Sequence, residues 1–184
     1  MLSKDDVNYI NVMSHFEESM PNYQITGVEQ LQDSFQWCSY VNAINQLKYK
    51  HKTAGVADSI IEYDLWHGTK ETDPEKIIDG EEGFDIKFAN QGVWGKGLYF
   101  ANKARYSDEY CSHHASNTRG MFLAKVLIGK SEKRSGNRSL IGPSAGFDSV
   151  SGQQSLNDGS VHDIFIVYAN KKAIPQYLVK YTQK

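Results

Sequence analysis

The stretch "GVWGKGLYFANKARYSDEY", residues 92 to 110, constrains this chain more than any other. Three glycines fall within six residues and run directly into Leu98, Tyr99 and Phe100. Glycine offers no side chain to pack and loses more conformational freedom on folding than any other residue. A turn explains one or two of these glycines. A backbone that lies close to a flat ligand explains them all. The tyrosine-dotted segment that follows can wall such a site, because tyrosine joins a stacking face to a polar tip.

The frame around this stretch is that of an ordinary globular chain. Its 184 residues favour a single domain spanning 1–184. The net charge of −2, with no basic stripe, argues against nucleic acid and gives no support for a membrane surface. No apolar run approaches the ~20 residues needed to span a bilayer. The start "MLSKDDVNYI" is charged and lacks an apolar signal core, so an intracellular setting, cytoplasmic or nuclear, is expected. The two cysteines, Cys38 and Cys111, could pair but do not make a disulfide framework, and reduced thiols fit that setting.

Periodicity predicts a helix over 5–20, with Val7, Ile10, Met13 (or Val12), Phe16 and Met20 on one face and Pro21 as the stop. A second helix is predicted over 27–48. Thr26 and Glu29 have capping-box spacing, and Val28, Leu31, Phe35, Cys38, Val41, Ile44 and Leu47 form the apolar side. "KYKHK" reads as its solvated end. "IIEYDLW" alternates, with Ile61, Tyr63 and Leu65 on one side of a strand. "TDPEKIIDG" has helix-start chemistry at Asp73, Pro74 and Glu75, and Gly80 as a stop. "GLYFA", "MFLAKVLIG", "DIFIVY" and "QYLVKY" read as strands. "NKARYSDEYCSHHAS" reads as a helix over 102–115 capped by Asn102. Residues 131 to 160 read as a long irregular connection, rich in Gly, Ser and Asn, that can hide short strands. The fold class is α+β: two leading helices, then a β-rich body.

Three landmarks stand in order: His67-Gly68-Thr69 at a strand end; Gly95-Lys96-Gly97-Leu98-Tyr99-Phe100-Ala101 with Tyr106, Ser107 and Tyr110; and the late strand from Asp163 to Tyr168. Together they resemble the catalytic domain of the poly(ADP-ribose) polymerase family, the diphtheria-toxin-like ADP-ribosyltransferases. "MFLAKVLIG", "FDSV" and "IPQYLVKY" look like that family too. The likeness runs over about 15–182, behind a short N-terminal helical extension, and is nearest to the mono-ADP-ribosylating branch.

The resemblance implies two central antiparallel sheets flanked by helices around an NAD cleft. It implies that His67 holds a ribose hydroxyl and that the Gly68 backbone pairs with the nicotinamide carboxamide. Ser107 adds a hydroxyl to the same amide, and Tyr99 and Tyr110 sandwich the ring. Thr69 and Gly97 complete the NAD contacts, and the loop from Gly83 to Gly97 covers them. In polymer-forming members the third catalytic position, after His67 and Tyr99, is a glutamate. Here it is Ile164, which can neither take a proton nor orient a hydroxyl. Asp163 is adjacent, but on a strand it points to the other face.

The resemblance therefore implies an NAD-dependent enzyme that moves one ADP-ribose to acceptor proteins, itself among the candidates, and releases nicotinamide. The competing expectations are a degenerate module that binds NAD or a partner without catalysis, and transfer to nucleic-acid ends. Taken singly, His67 is a turn histidine, Tyr99 and Tyr110 are core residues, and Ser107 is a surface hydroxyl. Only their joint order points to a site. Cys111, His113 and His114 in "CSHHAS" suggest a metal, but a structural zinc needs four ligands and no second pair exists, so no metal is expected.

Overall fold

The computed structural model describes residues 1–55, 62–70, 72–111 and 118–184. Helix α1 (Val7–Glu17) starts at Asp6, whose carboxylate accepts the Asn8 N–H at 2.7 Å. Such a cap satisfies a donor that the first helical turn leaves free. Its buried stripe is Tyr9, Val12 and Phe16, while Val7 and Ile10 face solvent. The predicted apolar line is thus rotated, because the amphipathic Tyr9 takes a core position.

Where the second helix was expected to begin, the chain is extended. Strand β1 (Tyr23–Gln30) holds Thr26 and Glu29, so no capping box forms. Its amides are taken by the last strand, with Val28 opposite Val179, and this long-range pairing overrides a local helical pattern. Helix α2 (Ser34–Thr53) starts later, where Asp33 accepts the Gln36 N–H at 2.7 Å. Tyr40, Ala43 and Leu47 pack on Leu127 and Ile174, while Phe35 and Cys38 face outward. The helix continues through "KYKHK", which is not merely solvated. Lys50 and His51 meet Asp148 at 2.5 and 2.7 Å.

Next among the described residues come β2 (Glu62–Gly68), α3 (Glu75–Ile78), a 3-10 turn (Ile86–Phe88), β3 (Gln91–Gly92), β4 (Gly95–Lys96) and β5 (Leu98–Ala101). After them come α4 (Ala104–Asp108), β6 (Arg119–Leu127), β7 (Ser131–Lys133), β8 (Ser149–Ser155), β9 (Val161–Val167) and β10 (Ala173–Gln183). Among the described residues, eight strands form one sheet in the order β1-β10-β6-β2-β5-β9-β8-β7, and β3 and β4 form a separate hairpin. All pairings in the large sheet are antiparallel except β7 with β8. β2 and β5 meet only at Trp66 and Ala101, so the sheet is two four-stranded halves joined by a single residue pair. The implied pair of sheets corresponds approximately to these halves.

The centre of the sheet is covered on both sides. Along β6, Met121 and Leu123 pack under α1, whereas Phe122, Ala124 and Val126 pack with Leu65, Phe84 and Phe100 on the opposite face. The same double cover explains why β2 does not alternate as predicted. Leu65 and Trp66 are both buried on opposite faces, and Tyr63 is exposed against Phe165. Residues 60 and 61 of that motif lie outside the described residues. Of the predicted helix over 102–115, the described part holds a five-residue helix that follows Lys103, and residues 112–115 lie outside the described residues; Asn102 instead lies 3.4 Å from Asp163 and is not the cap. The long connection after residue 130 contains β7 and β8. Among the described residues no helix is long and apolar enough to cross a membrane.

Candidate functional site

A cavity of about 490 Å³ opens where the two halves of the sheet diverge. Beyond Trp66, β2 has no pairing with β5, so its edge is free to face the cavity. His67, Gly68 and Thr69 lie at that edge and line the cavity. Gly97 and Tyr99 reach it from β5 and its approach, and Ser107 and Tyr110 reach it from α4 and the following turn. Seven of the eight predicted site residues therefore share one wall system. Ile164 does not. It is fully buried in an apolar cluster with Trp94, Ala101, Tyr106, Val150 and Ile166, behind Tyr99 and Tyr106.

His67 is defined by one hydrogen bond. Its Nδ1 lies 2.8 Å from the Tyr99 carbonyl oxygen, which can only accept, so Nδ1 carries the proton. Burial holds the imidazole below its ordinary pKa, against the raising effect of the Tyr99 bond, and so favours the neutral ring. A neutral ring protonated at Nδ1 has an acceptor lone pair at Nε2. Phe84 and Phe100 pack on the ring with centroids 5.0 and 5.2 Å away and fix its plane.

Tyr99 is a tether as well as a wall. Its hydroxyl accepts the Trp94 N–H and donates to the Gly95 carbonyl, both at 2.8 Å. The loop carrying the β3–β4 hairpin is thereby fastened over the ring. Gly95 is needed there for two reasons. Its φ is +81°, and a Cβ would lie 1.8 Å from the Leu140 oxygen. Tyr99 and Tyr110 make no ring contact with each other. Tyr99 meets Trp94 at 6.5 Å, and Tyr110 meets Tyr106 at 5.3 Å. Both rings line the one cavity.

Gly68 and Ser107 are locked together. A Cβ on Gly68 would lie 2.1 Å from the Ser107 carbonyl oxygen, so α4 packs directly on the β2 backbone. Ser107 and Tyr110 are joined through Tyr110 N–H to Ser107 O at 3.0 Å. The next residue, Asp108, is buried and anchors this turn. Arg119 donates to both of its carboxylate oxygens at 2.7 and 2.8 Å, and the Tyr181 hydroxyl donates at 2.7 Å. Burial and the Asp108 charge push the Tyr181 phenol far above its ordinary pKa. Burial likewise pushes the neighbouring Cys111 thiol up to about 12, so it is an unreactive thiol. Cys38 and Cys111 are not paired, and His113 and His114 lie outside the described residues.

Four contributors had been given no role from the sequence. Tyr106 links Tyr110 to Gln154 through hydroxyl contacts of 3.2 and 2.9 Å, and Gln154 also lines the cavity. Arg138 reaches the cavity from the Gly/Ser/Asn-rich connection. An isolated arginine in a polar loop carries no signal of its own. Phe84 was invisible for a similar reason, since its partner His67 is distant in sequence.

The arrangement offers two aromatic faces, an open peptide edge, a hydroxyl and a ring-nitrogen acceptor around one slot. It suits a planar ring bearing an amide, attached to a hydroxyl-bearing sugar. Comparison with known proteins points the same way. The family description "Poly(ADP-ribose) polymerase catalytic domain" matches residues 6–183. A Dictyostelium discoideum protein named as a probable poly [ADP-ribose] polymerase is 34% identical over 187 residues, covering 100% of this chain and 52% of its own length. Human protein mono-ADP-ribosyltransferase PARP12 is 28% identical over 183 residues, covering 98% of this chain and 25% of its own length. Human PARP14, named likewise, is 29% identical over 187 residues, covering 98% and 10%. The chain thus spans about half of the first relative and a quarter or less of the two human ones.

Proposed function

Because the chain belongs to the poly(ADP-ribose) polymerase catalytic domain family, we propose that it is an NAD-dependent mono-ADP-ribosyltransferase acting on protein side chains. NAD is the substrate and nicotinamide the leaving group. The Gly68 backbone and the Ser107 hydroxyl hold the carboxamide, and Tyr99 and Tyr110 take the two faces of the ring. His67 Nε2 accepts a hydrogen bond from a ribose hydroxyl. Thr69 and Gly97 line the slot beside them. Each neutral hydrogen bond nets ~0.5–1.5 kcal/mol, and a buried group left unpaired costs more, so the amide contacts set selectivity. The stacked rings add ~0.5–1.5 kcal/mol each beyond area burial.

The bond between the ribose carbon and the pyridinium nitrogen breaks with its electron pair going to the ring, so nicotinamide leaves neutral. Positive charge develops on the ribose, as in glycoside hydrolysis. Fixing the ribose and the leaving ring in one orientation lowers the entropic part of the barrier. A carboxylate acceptor attacks without losing a proton and becomes a neutral ester, so that reaction needs no general base.

The observation that carries single transfer is Ile164. Lengthening a chain requires a hydroxyl acceptor, which has a proton to lose. The third family position here is aliphatic, fully buried and turned into an apolar cluster. The printed names of the relatives differ on the product, and Ile164 favours those named mono-ADP-ribosyltransferases. Two unpaired thiols suit a reducing compartment, cytoplasmic or nuclear. Incubating the purified chain with labelled NAD tests this reading. Labelled protein, stoichiometric nicotinamide and no ladder are expected. A polymer ladder overturns the single-unit reading, and no nicotinamide release at all overturns the enzyme.

A further inference from the structure

A second cavity, of about 480 Å³, adjoins the first and shares Gln91 and Arg138 with it as walls. It lies between the loop that carries the β3–β4 hairpin and the segment Arg138–Ile141. Three cations line it: Lys87, Lys96 and Arg138. No carboxylate lines it among the described residues. Lys87 is paired with Asp85 at 2.7 Å, whereas Lys96 and Arg138 have no ion-pair partner among the described residues. The cations stand out because the chain as a whole carries a net charge of −2. The attraction for anions is therefore local to this trough.

The rest of the lining is apolar. Ile141 is 95% exposed, and Ile86 and Leu140 stand nearby. An isoleucine held almost wholly in water at the edge of a basic trough has an apolar contact to gain from an occupant. Arg138 also lines the first cavity, so the positive character continues into it. No aromatic side chain lines the second cavity among the described residues, so a nucleic-acid base has nothing to stack on.

We propose that this trough is an acceptor subsite that takes an acidic peptide segment bearing an aliphatic side chain, with Lys96 and Arg138 selecting the acidic residues and Ile141 the aliphatic one. The proposal rests on the reading of the first cavity as the NAD site and of protein side chains as acceptors. Continuity through Arg138 lets a peptide seated in the trough present one carboxylate toward the ribose while its neighbours pair with the cations. Lys96 lines only the second cavity and is exposed, so changing it leaves the slot and the fold intact.

The test uses a fluorescein-labelled synthetic peptide with glutamates around a leucine, a glutamine-for-glutamate control, and a 5′-phosphorylated single-stranded oligonucleotide. Binding is read by anisotropy, without NAD, at low and physiological salt. Lys96→Glu is expected to weaken the glutamate peptide roughly fivefold to tenfold, since an attraction is replaced by a repulsion. Ile141→Ser is expected to weaken it by a smaller factor. The glutamine control is expected to bind poorly, and benzamide binding to Lys96→Glu is expected to match wild type. Peptide binding that ignores both Lys96→Glu and salt overturns the proposal. So does an oligonucleotide that binds more tightly than the peptide in a Lys96-dependent way. Should the wild-type chain bind neither NAD nor benzamide while peptide binding still depends on Lys96, the NAD reading fails and the acidic-peptide trough stands.

Discussion

Replacing Tyr99 with Phe removes one oxygen and leaves the ring. That oxygen accepts the Trp94 N–H and donates to the Gly95 carbonyl, both at 2.8 Å. Each bond nets ~0.5–1.5 kcal/mol, so losing the pair costs ~1–3 kcal/mol of loop closure, with about 2 kcal/mol as the central value. The β3–β4 hairpin then detaches more easily from β5, while Tyr110, Gly68 and Ser107 are untouched. NAD is long enough to lie along the loop residues Phe88 to Val93, which line the cavity beyond the tyrosine slot. Benzamide fills only the slot. The expected result by calorimetry is a rise in the NAD dissociation constant of about 30-fold, the equivalent of 2 kcal/mol, with benzamide weakened by less than about threefold. An NAD affinity within about twofold of wild type, or an equal loss for both ligands, refutes the tether.

Three further results are expected. Because burial lowers the His67 pKa, NAD affinity stays level from neutral pH upward and falls only below the ordinary histidine value of about 6.5, as Nε2 gains a proton and stops accepting. The unfolded chain binds the proton first, so stability also declines with falling pH in that window. A midpoint in NAD affinity above 6.5 that disappears in His67→Gln counts against the assignment. Asp108→Ala strands Arg119 and Tyr181; with Arg119 20% exposed and able to hydrate, the cost in urea unfolding is about 3 kcal/mol, and a loss under about 1 kcal/mol contradicts the anchor. Gly68→Ala forces its Cβ against the Ser107 carbonyl, so benzamide binding falls more than about tenfold while the circular dichroism spectrum persists; unchanged binding contradicts the packing.

The site was legible where its residues are contiguous. His67-Gly68-Thr69 stands at a strand end and Tyr99 sits inside a strand, and it was the ordered family resemblance of these short motifs, not periodicity, that singled them out. The strand β1 was not legible. Val28 and Leu31 fit helical spacing, and only pairing with a segment about 150 residues away decides otherwise. The apparent alternation in β2 failed for a related reason: a strand buried on both faces has no polar side, as Leu65 and Trp66 show. Ser107 and Tyr110 were placed on a helical face. They share the cavity although α4 stops at Asp108, because a tighter turn, with Tyr110 N–H bonded to Ser107 O, continues the curl of the chain. Arg138 has no pattern at all around it, and only the folding of its loop against the hairpin brings it to the site.

The most direct test of the slot is a crystal structure of the chain with benzamide. The ring is expected between Tyr99 and Tyr110, with its carboxamide paired to the Gly68 backbone and the Ser107 hydroxyl. A benzamide bound elsewhere, or bound in this cavity with its amide turned away from Gly68 and Ser107, contradicts it.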